Sequence, residues 1–389
     1  MILAVHGYTS PAMPQVLIVG AGVIGASVAY HLATLGVRDI LVVDRGADFG
    51  AGSTPRATGG FRCQFSTEPN ILLSLLSREK LRRFEQEIGV DSGYRPSGYL
   101  FLTRTEEGLR QLRDAQALQH ACGLAEARMV TASEARYINS AIQDDTILGA
   151  AHCPTDGFIR ASQILRGYAD AAMRLGVKFE FGVEVRRLHT DGSRVALAQT
   201  RGGQIPAGTF VNAAGAWAST FGINIPVRPL KRQVAVTIET DLMPETMPMT
   251  IWMDDGFHVR VRDRRILLLW PDQPPSDFDT SFEEEWLQQV CRLAHERVPE
   301  VADIPIDRTQ CWAGLYEMSP DRHVLLGPAP GIDNLFLTNG SSGHGVMHAP
   351  AIGQLIAEMI VEGKTSIDVR ALRPARFAEG EAIEGSDLL

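Results

Sequence analysis

The sequence contains only five cysteines in 389 residues, and no two of them have the CxxC spacing of a zinc site or a redox pair. Because the count is odd and the spacings are irregular, the pattern argues against a disulfide framework and against a metal site. Each cysteine is expected to be a small buried hydrophobic residue in a reducing cytoplasm. The five are Cys63, Cys122, Cys153, Cys291 and Cys311.

Long apolar runs and clusters of basic residues are also absent. No stretch approaches the roughly 18 apolar residues of a membrane span. Met1–Pro14 lacks the basic start, the apolar core and the cleavage site of a secretory leader. The formal net charge of −9 is spread along the chain without a basic stripe, which argues against nucleic acid or an acidic membrane surface as a partner. We therefore expect a soluble, unexported, cytoplasmic protein that acts on small molecules.

A length of 389 residues, with 45% hydrophobic and 21% charged residues, is typical of a globular protein of two domains. The clearest pattern lies near the start of the chain. Val16–Val19 is a continuous apolar run of the kind that forms a parallel strand buried on both faces. Helical spacing follows over Gly22–Leu35, Gly36 is placed to end that helix, and Ile40–Val43 is a second apolar run. These segments predict one βαβ unit.

The turn between the first strand and the helix contains Gly20, Gly22 and Gly25. In a dinucleotide site the first glycine permits the tight turn, the second lets the backbone approach a pyrophosphate, and the third allows close packing of helix on strand. Asp44 follows the second strand, where it is placed to accept hydrogen bonds from a ribose and disfavours a 2′-phosphate. Such a turn can be purely structural, but the ordered strand, helix, strand and carboxylate predict nucleotide binding.

Helical and apolar-strand patterns lie on both sides of a stretch, 227–311, in which apolar and polar residues alternate as in antiparallel strands. We therefore predict an α/β fold in which a discontinuous Rossmann-type domain contains an inserted α+β substrate domain with a mostly antiparallel sheet. The predicted nucleotide domain covers 15–88, 150–225 and 318–375, and the substrate domain covers 89–149 and 226–317. Helices are predicted over 68–88, 105–122, 160–176, 282–298 and 349–362, and strands over 178–181, 194–200, 209–213, 234–238, 258–262, 266–270 and 335–338.

Two further segments are rich in small residues. Gly50–Arg62 combines glycine, alanine, serine and arginine, which predicts a backbone-rich loop rather than packed structure. Thr338–Met347 contains Gly340, Gly343 and Gly345 ahead of a long helix. Its N–H groups and the positive end of the helix dipole suit the negative charge that a reduced flavin carries at N1 and O2. A plain tight turn is the alternative, but an NAD site has no such need, and the combination favours FAD.

The chain resembles the D-amino-acid oxidase family in four motifs that occur in the family's order. They are Val-Gly-Ala-Gly-Val-Ile-Gly (19–25), Gly-Ser-Thr (52–54), Asn-Ala-Ala-Gly-Ala-Trp (212–217) and Ser-Gly-His-Gly-Val-Met-His-Ala-Pro (342–350). The likeness runs from Gln15 to about Leu372 and is to the branch of monomeric sarcosine oxidase and of the β subunits of sarcosine oxidase and proline dehydrogenase. It implies an FAD domain, a substrate domain whose sheet roofs the flavin, and oxidation of a C–N bond in a small amino acid. Hydride-equivalent transfer to flavin N5 would give an imine that hydrolyses in water.

Matching the motifs residue by residue implies a set of FAD contacts that runs from the adenosine to the flavin ring. Asp44 and Arg45 should meet the ribose, Ser53 and Thr54 the pyrophosphate, and Val185 the adenine. Thr58 lies in the loop beside the ring, and the residues from 343 to 347 should line its pyrimidine edge. The implied cofactor-binding residues are Gly20, Gly22, Val23, Ile24, Gly25, Asp44, Arg45, Ser53, Thr54, Thr58, Val185, Ala214, Gly215, Gly343, His344, Gly345, Val346 and Met347.

The same matching implies a substrate end. Arg62 corresponds to an arginine that holds the substrate carboxylate, a task that suits the two parallel donors of a guanidinium. Tyr316 corresponds to a tyrosine that closes the pocket, and His344 is expected to support its own turn rather than to act as an acid or base. The alternatives are a surface arginine, with Arg260 or Arg262 on the roof strand as the next candidates, and a merely buried aromatic. The implied catalytic residues are Arg62, Tyr316, His344 and Met347.

The chain departs from monomeric sarcosine oxidases at positions that matter for chemistry. Their flavin is attached through a cysteine two residues before the tyrosine, where this sequence has Gly314, and Cys311 lies three residues further upstream. We therefore expect non-covalent FAD. Met347 replaces the lysine that ends their glycine motif, and the strand 266–270 lacks the lysine that promotes reaction with oxygen. The lysines of the chain are Lys80, Lys178, Lys231 and Lys364, none of them at an equivalent position.

Three functions are therefore weighed. The first is FAD-dependent oxidation of a small, sarcosine-like secondary-amine amino acid, with O₂ reduced to H₂O₂. The second is a flavin subunit of a D-amino-acid or proline dehydrogenase, which passes electrons to a partner subunit or another acceptor, and the missing lysines favour it. The third is a flavoprotein that binds FAD without turnover, and the presence of both Arg62 and Tyr316 argues against it. Peroxide formation with sarcosine would distinguish the three.

Overall fold

The computed structural model describes residues 13–271 and 277–383. Most of Met1–Pro14, on which the expectation about a secretory leader depends, lies outside these residues. Within them, no helix combines the length and the apolar character that crossing a membrane requires.

The described residues form nine α-helices and three 3₁₀ helices. The α-helices are α1 (Val23–Thr34), α2 (Glu68–Ile88), α3 (Glu106–Ala121), α4 (Ala132–Ile138), α5 (Ala161–Arg174), α6 (Glu284–Arg297), α7 (Pro299–Ala302), α8 (Gly345–Glu362) and α9 (Arg376–Glu379). The 3₁₀ helices are Thr54–Arg56, Gly215–Phe221 and Arg370–Leu372.

Nineteen strands complete the described part of the chain. They are β1 (Val16–Val19), β2 (Ile40–Asp44), β3 (Gly60–Phe61), β4 (Tyr99–Thr103), β5 (Arg128–Thr131), β6 (Gly149–Cys153), β7 (Gly157–Phe158), β8 (Lys178–Phe181), β9 (Val185–Asp191), β10 (Arg194–Thr200), β11 (Gln204–Pro206), β12 (Thr209–Asn212), β13 (Arg228–Val236), β14 (Met249–Trp252), β15 (His258–Arg262), β16 (Arg265–Leu269), β17 (Trp312–Met318), β18 (Leu325–Pro328) and β19 (Leu335–Asn339).

A six-stranded sheet in the order β18-β19-β12-β1-β2-β8 forms the nucleotide-binding half. Its strands from β19 to β8 run parallel, and β18 is the antiparallel edge. All four residues of β1 are buried, because helices cover one face of the sheet and a second layer covers the other. Helix α1 packs against α5 and α8, and α2 packs against α8. This is the layered arrangement that the apolar runs predict.

An eight-stranded sheet in the order β17-β13-β16-β15-β14-β4-β6-β5 forms the roof of the molecule. Its neighbours are antiparallel except for the parallel pair β4 and β14. Helix α6 covers its outer face over a separate apolar core that includes Trp252 and Trp286. The predicted fold class, a Rossmann-type sheet with a second, mostly antiparallel sheet, is confirmed.

The two sheets support a proposed division into domains. We keep the boundaries 15–88, 150–225 and 318–375 for the FAD domain and 89–149 and 226–317 for the substrate domain, with one adjustment. Strand β6 lies in the eight-stranded sheet, so we place the second boundary after Cys153 instead of at 150.

Two local expectations need correction. The segment Gly50–Arg62 is not an unpacked loop, because it contains a 3₁₀ turn and strand β3, and both Phe61 and Arg62 are buried. All five cysteines are free thiols, but only Cys63 and Cys153 are fully buried. The other three are partly exposed.

Candidate active site

One cavity of about 760 Å³ lies between the two sheets. The glycine turn after β1, the segments 50–60 and 213–217, the roof strands and the turn 341–347 all contribute to its walls. Its volume is in the range of cofactor and ligand sites. Every residue implied as a cofactor or substrate contact lines this cavity except Gly25.

The three glycines of the first turn each meet a distinct steric requirement. Gly20 has a φ of +112°, and a Cβ there would lie 2.3 Å from the carbonyl oxygen of Ala213. A Cβ on Gly25 would lie 1.9 Å from the carbonyl oxygen of Gly20, so Gly25 lets α1 pack on the turn and does not itself face the cavity. Gly22 has only the Thr54 hydroxyl within reach, at 3.5 Å, which leaves its backbone open to a ligand. These are the three roles expected of a dinucleotide turn.

Asp44 ties this turn to the end of β2. Its Oδ2 accepts a hydrogen bond from the backbone N–H of Ala21 at 2.8 Å, and its Oδ1 accepts one from Gly46 at 2.7 Å. Each carboxylate oxygen has a second lone pair available for a ribose hydroxyl. The backbone N–H of Val23 donates to Thr54 Oγ1 at 3.2 Å, which links the start of α1 to the segment 52–62.

Next to Asp44, an aromatic and cationic stack forms the proposed adenosine end. The guanidinium of Arg45 lies 3.8 Å from the centre of the Trp217 ring. Trp217 in turn stacks on Phe278, with ring centres 5.5 Å apart and an interplanar angle of 15°. The sequence motif includes Trp217 but contains no sign of this stack, because Phe278 comes from a distant segment of the substrate domain.

Hydrogen bonds from the eight-stranded sheet and its adjoining residues fix the segment 50–60. Ser53 Oγ donates to the carbonyl oxygen of Leu315 at 2.8 Å, and Trp312 Nε1 donates to that of Arg56 at 2.8 Å. Arg260, on β15, donates to the carbonyl oxygen of Thr58 and lies over the Phe158 ring. Arg260 and Arg262 therefore secure this segment, and neither lines the cavity as the described residues define it.

Arg62 lines the same cavity and is only 5% exposed. Its Nη1 donates to the carbonyl oxygen of Gln64 at 3.0 Å, and its Nη2 lies 3.1 Å from His344 Nε2. Its guanidinium carbon lies 4.1 Å from the centre of the Phe65 ring. Burial lowers the pKa of Arg62 to about 10, so the group stays charged near neutral pH. The alternative of a surface arginine is wrong.

The contact with Arg62 defines the state of His344. A guanidinium only donates hydrogen bonds, so Nε2 of His344 must accept with its lone pair. The proton of the neutral ring is then on Nδ1. His344 therefore orients Arg62 from the glycine turn, which agrees with a supporting role rather than one in proton transfer.

Tyr316 stands on β17 above the second glycine turn. Its ring packs so closely on Gly343 that a Cβ there would lie 2.5 Å from the ring. Gly343 also has a φ of +94°, which favours glycine. Both the close approach of the ring and the backbone conformation therefore require glycine at this position. The ring is 37% exposed and lines the cavity, and Arg232 lies 5.7 Å from its centre. Tyr316 is therefore not simply a buried core aromatic.

Several cavity residues near Arg62 were not found from the sequence. Tyr99 comes from β4, Met249 and Ile251 from β14, and His258 from β15. Burial raises the pKa of the Tyr99 phenol and lowers that of His258 to about 4, so both are neutral near neutral pH. Strands β4 and β14 were not predicted, which is why their inward side chains were missed.

Asp156 supports Arg62 from behind the cavity wall. Its carboxylate accepts hydrogen bonds from the backbone N–H of Cys63 at 2.7 Å and from Gln64 Nε2 at 3.2 Å. Burial raises the pKa of Asp156 to about 6, while these bonds and the charge of Arg62 oppose that rise. The residue fixes the backbone that follows Arg62.

A glycine, Gly314, occupies the position that corresponds to the flavin-linking cysteine of monomeric sarcosine oxidases. Gly314 lines the cavity, and a Cβ there would lie 3.1 Å from Arg56 Cβ. Cys311 accepts from the backbone N–H of Val236 at 3.4 Å and packs against the core under α6. Among the described residues that line the cavity there is no cysteine. Met347 lines the cavity at the start of α8 but is otherwise buried in the core.

This arrangement predicts that FAD is bound without a covalent link. Acid precipitation of the purified yellow protein should release the flavin into the supernatant, because none of the described residues that line the cavity is a cysteine. The absorbance of supernatant and pellet measures the outcome. Flavin that stays on the precipitated protein would contradict the prediction and direct attention to Cys311 or a histidine.

A Rossmann-type sheet, a dinucleotide turn and a cavity roofed by an antiparallel sheet define the class of FAD-dependent oxidoreductases. The family model "FAD dependent oxidoreductase" (DAO) matches residues 15–359, and the chain belongs to this family. It is thus an FAD-dependent oxidoreductase.

Known proteins of this family are similar over most of the chain. The FAD-dependent oxidoreductase domain-containing protein 1 of Xenopus laevis is 28% identical over 92% of this chain and 81% of its own length. The 4-methylaminobutanoate oxidase (formaldehyde-forming) of Paenarthrobacter nicotinovorans is 25% identical over 95% of this chain, which spans only 46% of that longer protein. The crystal structure of L-proline dehydrogenase from P. horikoshii superposes with a TM-score of 0.89 at 27% identity and covers 96% of this chain and 100% of its own.

Proposed function

We propose that the enzyme oxidises the C–N bond of a small, sarcosine-like secondary-amine amino acid to an imine that hydrolyses in water, with O₂ reduced to H₂O₂. The observation that carries this proposal is Arg62, a buried guanidinium oriented by Gln64 and His344 in the wall of the FAD cavity. Bound FAD would supply the acceptor for two electrons and a proton, and the protein's part is to bind and orient the amino acid.

Arg62 suits a carboxylate because its fork fixes the anion in direction as well as distance. With the carboxylate held, the amine and its neighbouring carbons would lie among Tyr99, Met249, Ile251 and Tyr316, which also line the cavity. Such positioning can supply a large part of a rate enhancement.

The charges around Arg62 also favour a neutral amine. The fixed positive charge of Arg62 and the desolvation inside the cavity both disfavour an ammonium group. His258 is neutral, and the Nε2 lone pair of His344 faces Arg62. A neutral amine can transfer a hydride equivalent without a protein base, so the arrangement needs no titrating group.

The similar proteins support the substrate class. Proline and 4-methylaminobutanoate are both amino acids with a secondary amine, and they are the substrates named for two proteins to which this chain is similar. We carry over only this shared chemistry, a carboxylate and a secondary amine in one small molecule.

A second candidate function differs only in the electron acceptor. None of the four lysines lines the cavity as described, and Lys231 is instead buried in ion pairs with Asp279 and Glu283. No lysine is therefore placed to promote reaction of the reduced flavin with oxygen. This favours a dehydrogenase of proline or of D-amino acids that passes electrons to a partner subunit or another acceptor.

A substrate screen tests both candidates. The FAD-loaded protein should turn over sarcosine, proline or an N-methyl amino acid faster than the matching amine without a carboxylate. Turnover is read in parallel by peroxide release and by reduction of an artificial dye. Equal rates in both assays indicate an oxidase, and dye reduction without peroxide indicates a dehydrogenase. Turnover of amines without a carboxylate at equal rates would contradict the proposed role of Arg62.

A further inference from the structure

Two buried oxygen atoms in the FAD cavity have no hydrogen-bond partner in the described structure. They are Oε2 of Glu317 and Oγ of Ser341. Glu317 is 9% exposed and Ser341 is 3% exposed, and both residues line the cavity. A buried polar atom without a partner is costly, so its presence in a ligand cavity indicates that the ligand provides the partner.

The two oxygens lie between the start of the 3₁₀ helix Gly215–Phe221 and the start of α8. Glu317 Oε2 lies 4.0 Å from where a Cβ on Gly215 would be. Ser341 Oγ lies 3.5 Å from where a Cβ on Gly345 would be. Both glycines belong to the proposed FAD site, one on the side of the pyrophosphate turn and one on the side of the flavin ring. The stretch of FAD between its diphosphate and its ring is a chain of hydroxyl groups.

The other carboxyl oxygen of Glu317 shows where a proton would be. Glu317 Oε1 accepts a hydrogen bond from the backbone N–H of Ser341 at 3.2 Å, and the carbonyl oxygen of Glu317 accepts one from Ser342 at 2.9 Å. In a carboxylic acid the accepting oxygen is the carbonyl oxygen. The hydroxyl is then Oε2, which is buried in the cavity wall near Gly215.

The surroundings of Glu317 favour the neutral acid. Burial raises the pKa of Glu317 to about 7, and no positive charge opposes this rise. The opposing groups are the nearby Ser341 hydroxyl, which makes no hydrogen bond of good geometry, and the backbone N–H groups of Ser341 and Gly340. A bound diphosphate would add negative charge to the same cavity and raise the pKa further.

We propose that Glu317 binds FAD as a neutral carboxylic acid, donating a hydrogen bond from Oε2 to a hydroxyl of the chain between diphosphate and flavin, with Ser341 Oγ as a second contact to that chain. This role concerns the cofactor, so it does not depend on which amine is the substrate. It also links FAD binding to protonation. A protein molecule in which Glu317 is ionised must take up one proton when it binds FAD.

The sign of the pH dependence follows from this coupling. Below about pH 7 Glu317 is already protonated in the free protein, and the dissociation constant for FAD should not vary with its ionisation. Above that pH the proton must be taken up on binding, so the dissociation constant should rise by up to about tenfold per pH unit.

Other groups that face this region could also contribute to a pH profile. Arg232 on β13, Tyr316 beside Glu317 on β17, and Arg322 and His344 in the adjoining turns all line the cavity. A dependence that arises from any of them would persist when Glu317 is replaced, and this separates them from Glu317.

The test is a titration of the deflavinated protein with FAD at a series of pH values from about 6 to about 9. Binding is measured by flavin fluorescence. Glu317→Gln keeps a donor and an acceptor of similar shape but cannot ionise. It should bind FAD within about threefold of the wild-type constant at low pH and show no rise with pH. Glu317→Leu should raise the constant at least about tenfold even at the lowest pH, since the donor is lost. Glu362→Gln, at the exposed end of α8, is the matched control and should follow the wild type.

Two results would overturn the inference. One is a Glu317→Gln protein that keeps the wild-type rise above pH 7, and the other is a Glu317→Leu protein that binds FAD as the wild type does. If the leucine variant does not fold, the slope of the glutamine variant decides, with circular dichroism and thermal unfolding as the check on its fold.

Discussion

The Arg62→Lys variant is expected to oxidise its best amino-acid substrate with kcat/KM lowered at least about tenfold, or roughly 1.4 kcal/mol of transition-state stabilisation. Lysine keeps the charge, but it cannot hold Gln64 and His344 at 3.0 and 3.1 Å and still present two parallel donors to a carboxylate. KM should rise because the substrate is held less well. Arg62→Met, which removes the charge as well, should lower kcat/KM at least about a hundredfold, or roughly 2.7 kcal/mol. Steady-state kinetics measure both, and the flavin spectrum should stay near that of the wild type.

Arg260→Lys is the matched control for a buried arginine. Arg260 is 4% exposed and lies 3.7 Å from the centre of the Phe158 ring, but it is outside the cavity lining. Its replacement should lower the melting temperature and affect kcat/KM less than Arg62→Lys does. Wild-type kinetics for Arg62→Lys, or an equal loss in Arg260→Lys, would assign Arg62 a role in loop structure and not in substrate binding.

The Asp44→Ala variant is expected to bind FAD about 10- to 150-fold more weakly, since hydrogen bonds to a charged group contribute on the order of 1.5–3 kcal/mol. Loss of the carboxylate would remove the acceptor for the ribose and also the acceptors for Ala21 and Gly46 in the turn. FAD titration of the deflavinated protein measures the affinity, with Asp48→Ala on the exposed surface nearby as control. Unchanged affinity in Asp44→Ala would contradict the proposal that the adenosine of FAD binds beside Asp44.

Much of the FAD half could be predicted because its strands are buried on both faces and therefore appear as continuous apolar runs. The buried strand Val16–Val19 has the predicted bounds, and so do the helix Glu68–Ile88 and the partly exposed edge strand Lys178–Phe181. The buried, mainly apolar strands Tyr99–Thr103 and Met249–Trp252 were nevertheless missed, and two other missed strands have different patterns. Gly149–Cys153 consists mostly of small residues, and Val185–Asp191 is largely polar. They are strands because of pairing across the fold, which local sequence does not show.

The candidate site divides in the same way. The glycine turn and Asp44 could be predicted because they belong to a short motif whose spacing carries the geometry, whereas Arg62 was implied only by the resemblance to the family. Glu317 and Asp156 could not, because what distinguishes them is burial by distant segments. Glu317 is covered by the turn 340–344, and Asp156 by the backbone that follows Arg62.

The most direct test of the proposed function is anaerobic mixing of the FAD-loaded protein with amino acids while the flavin absorbance is followed. This half-reaction does not depend on whether oxygen or a partner accepts the electrons. We predict that a carboxylate-bearing secondary amine, such as sarcosine or proline, bleaches the flavin, and that Arg62→Met slows the bleaching at least about a hundredfold. Flavin that no such amino acid reduces, although dithionite bleaches it, would contradict the proposal that this cavity oxidises amines.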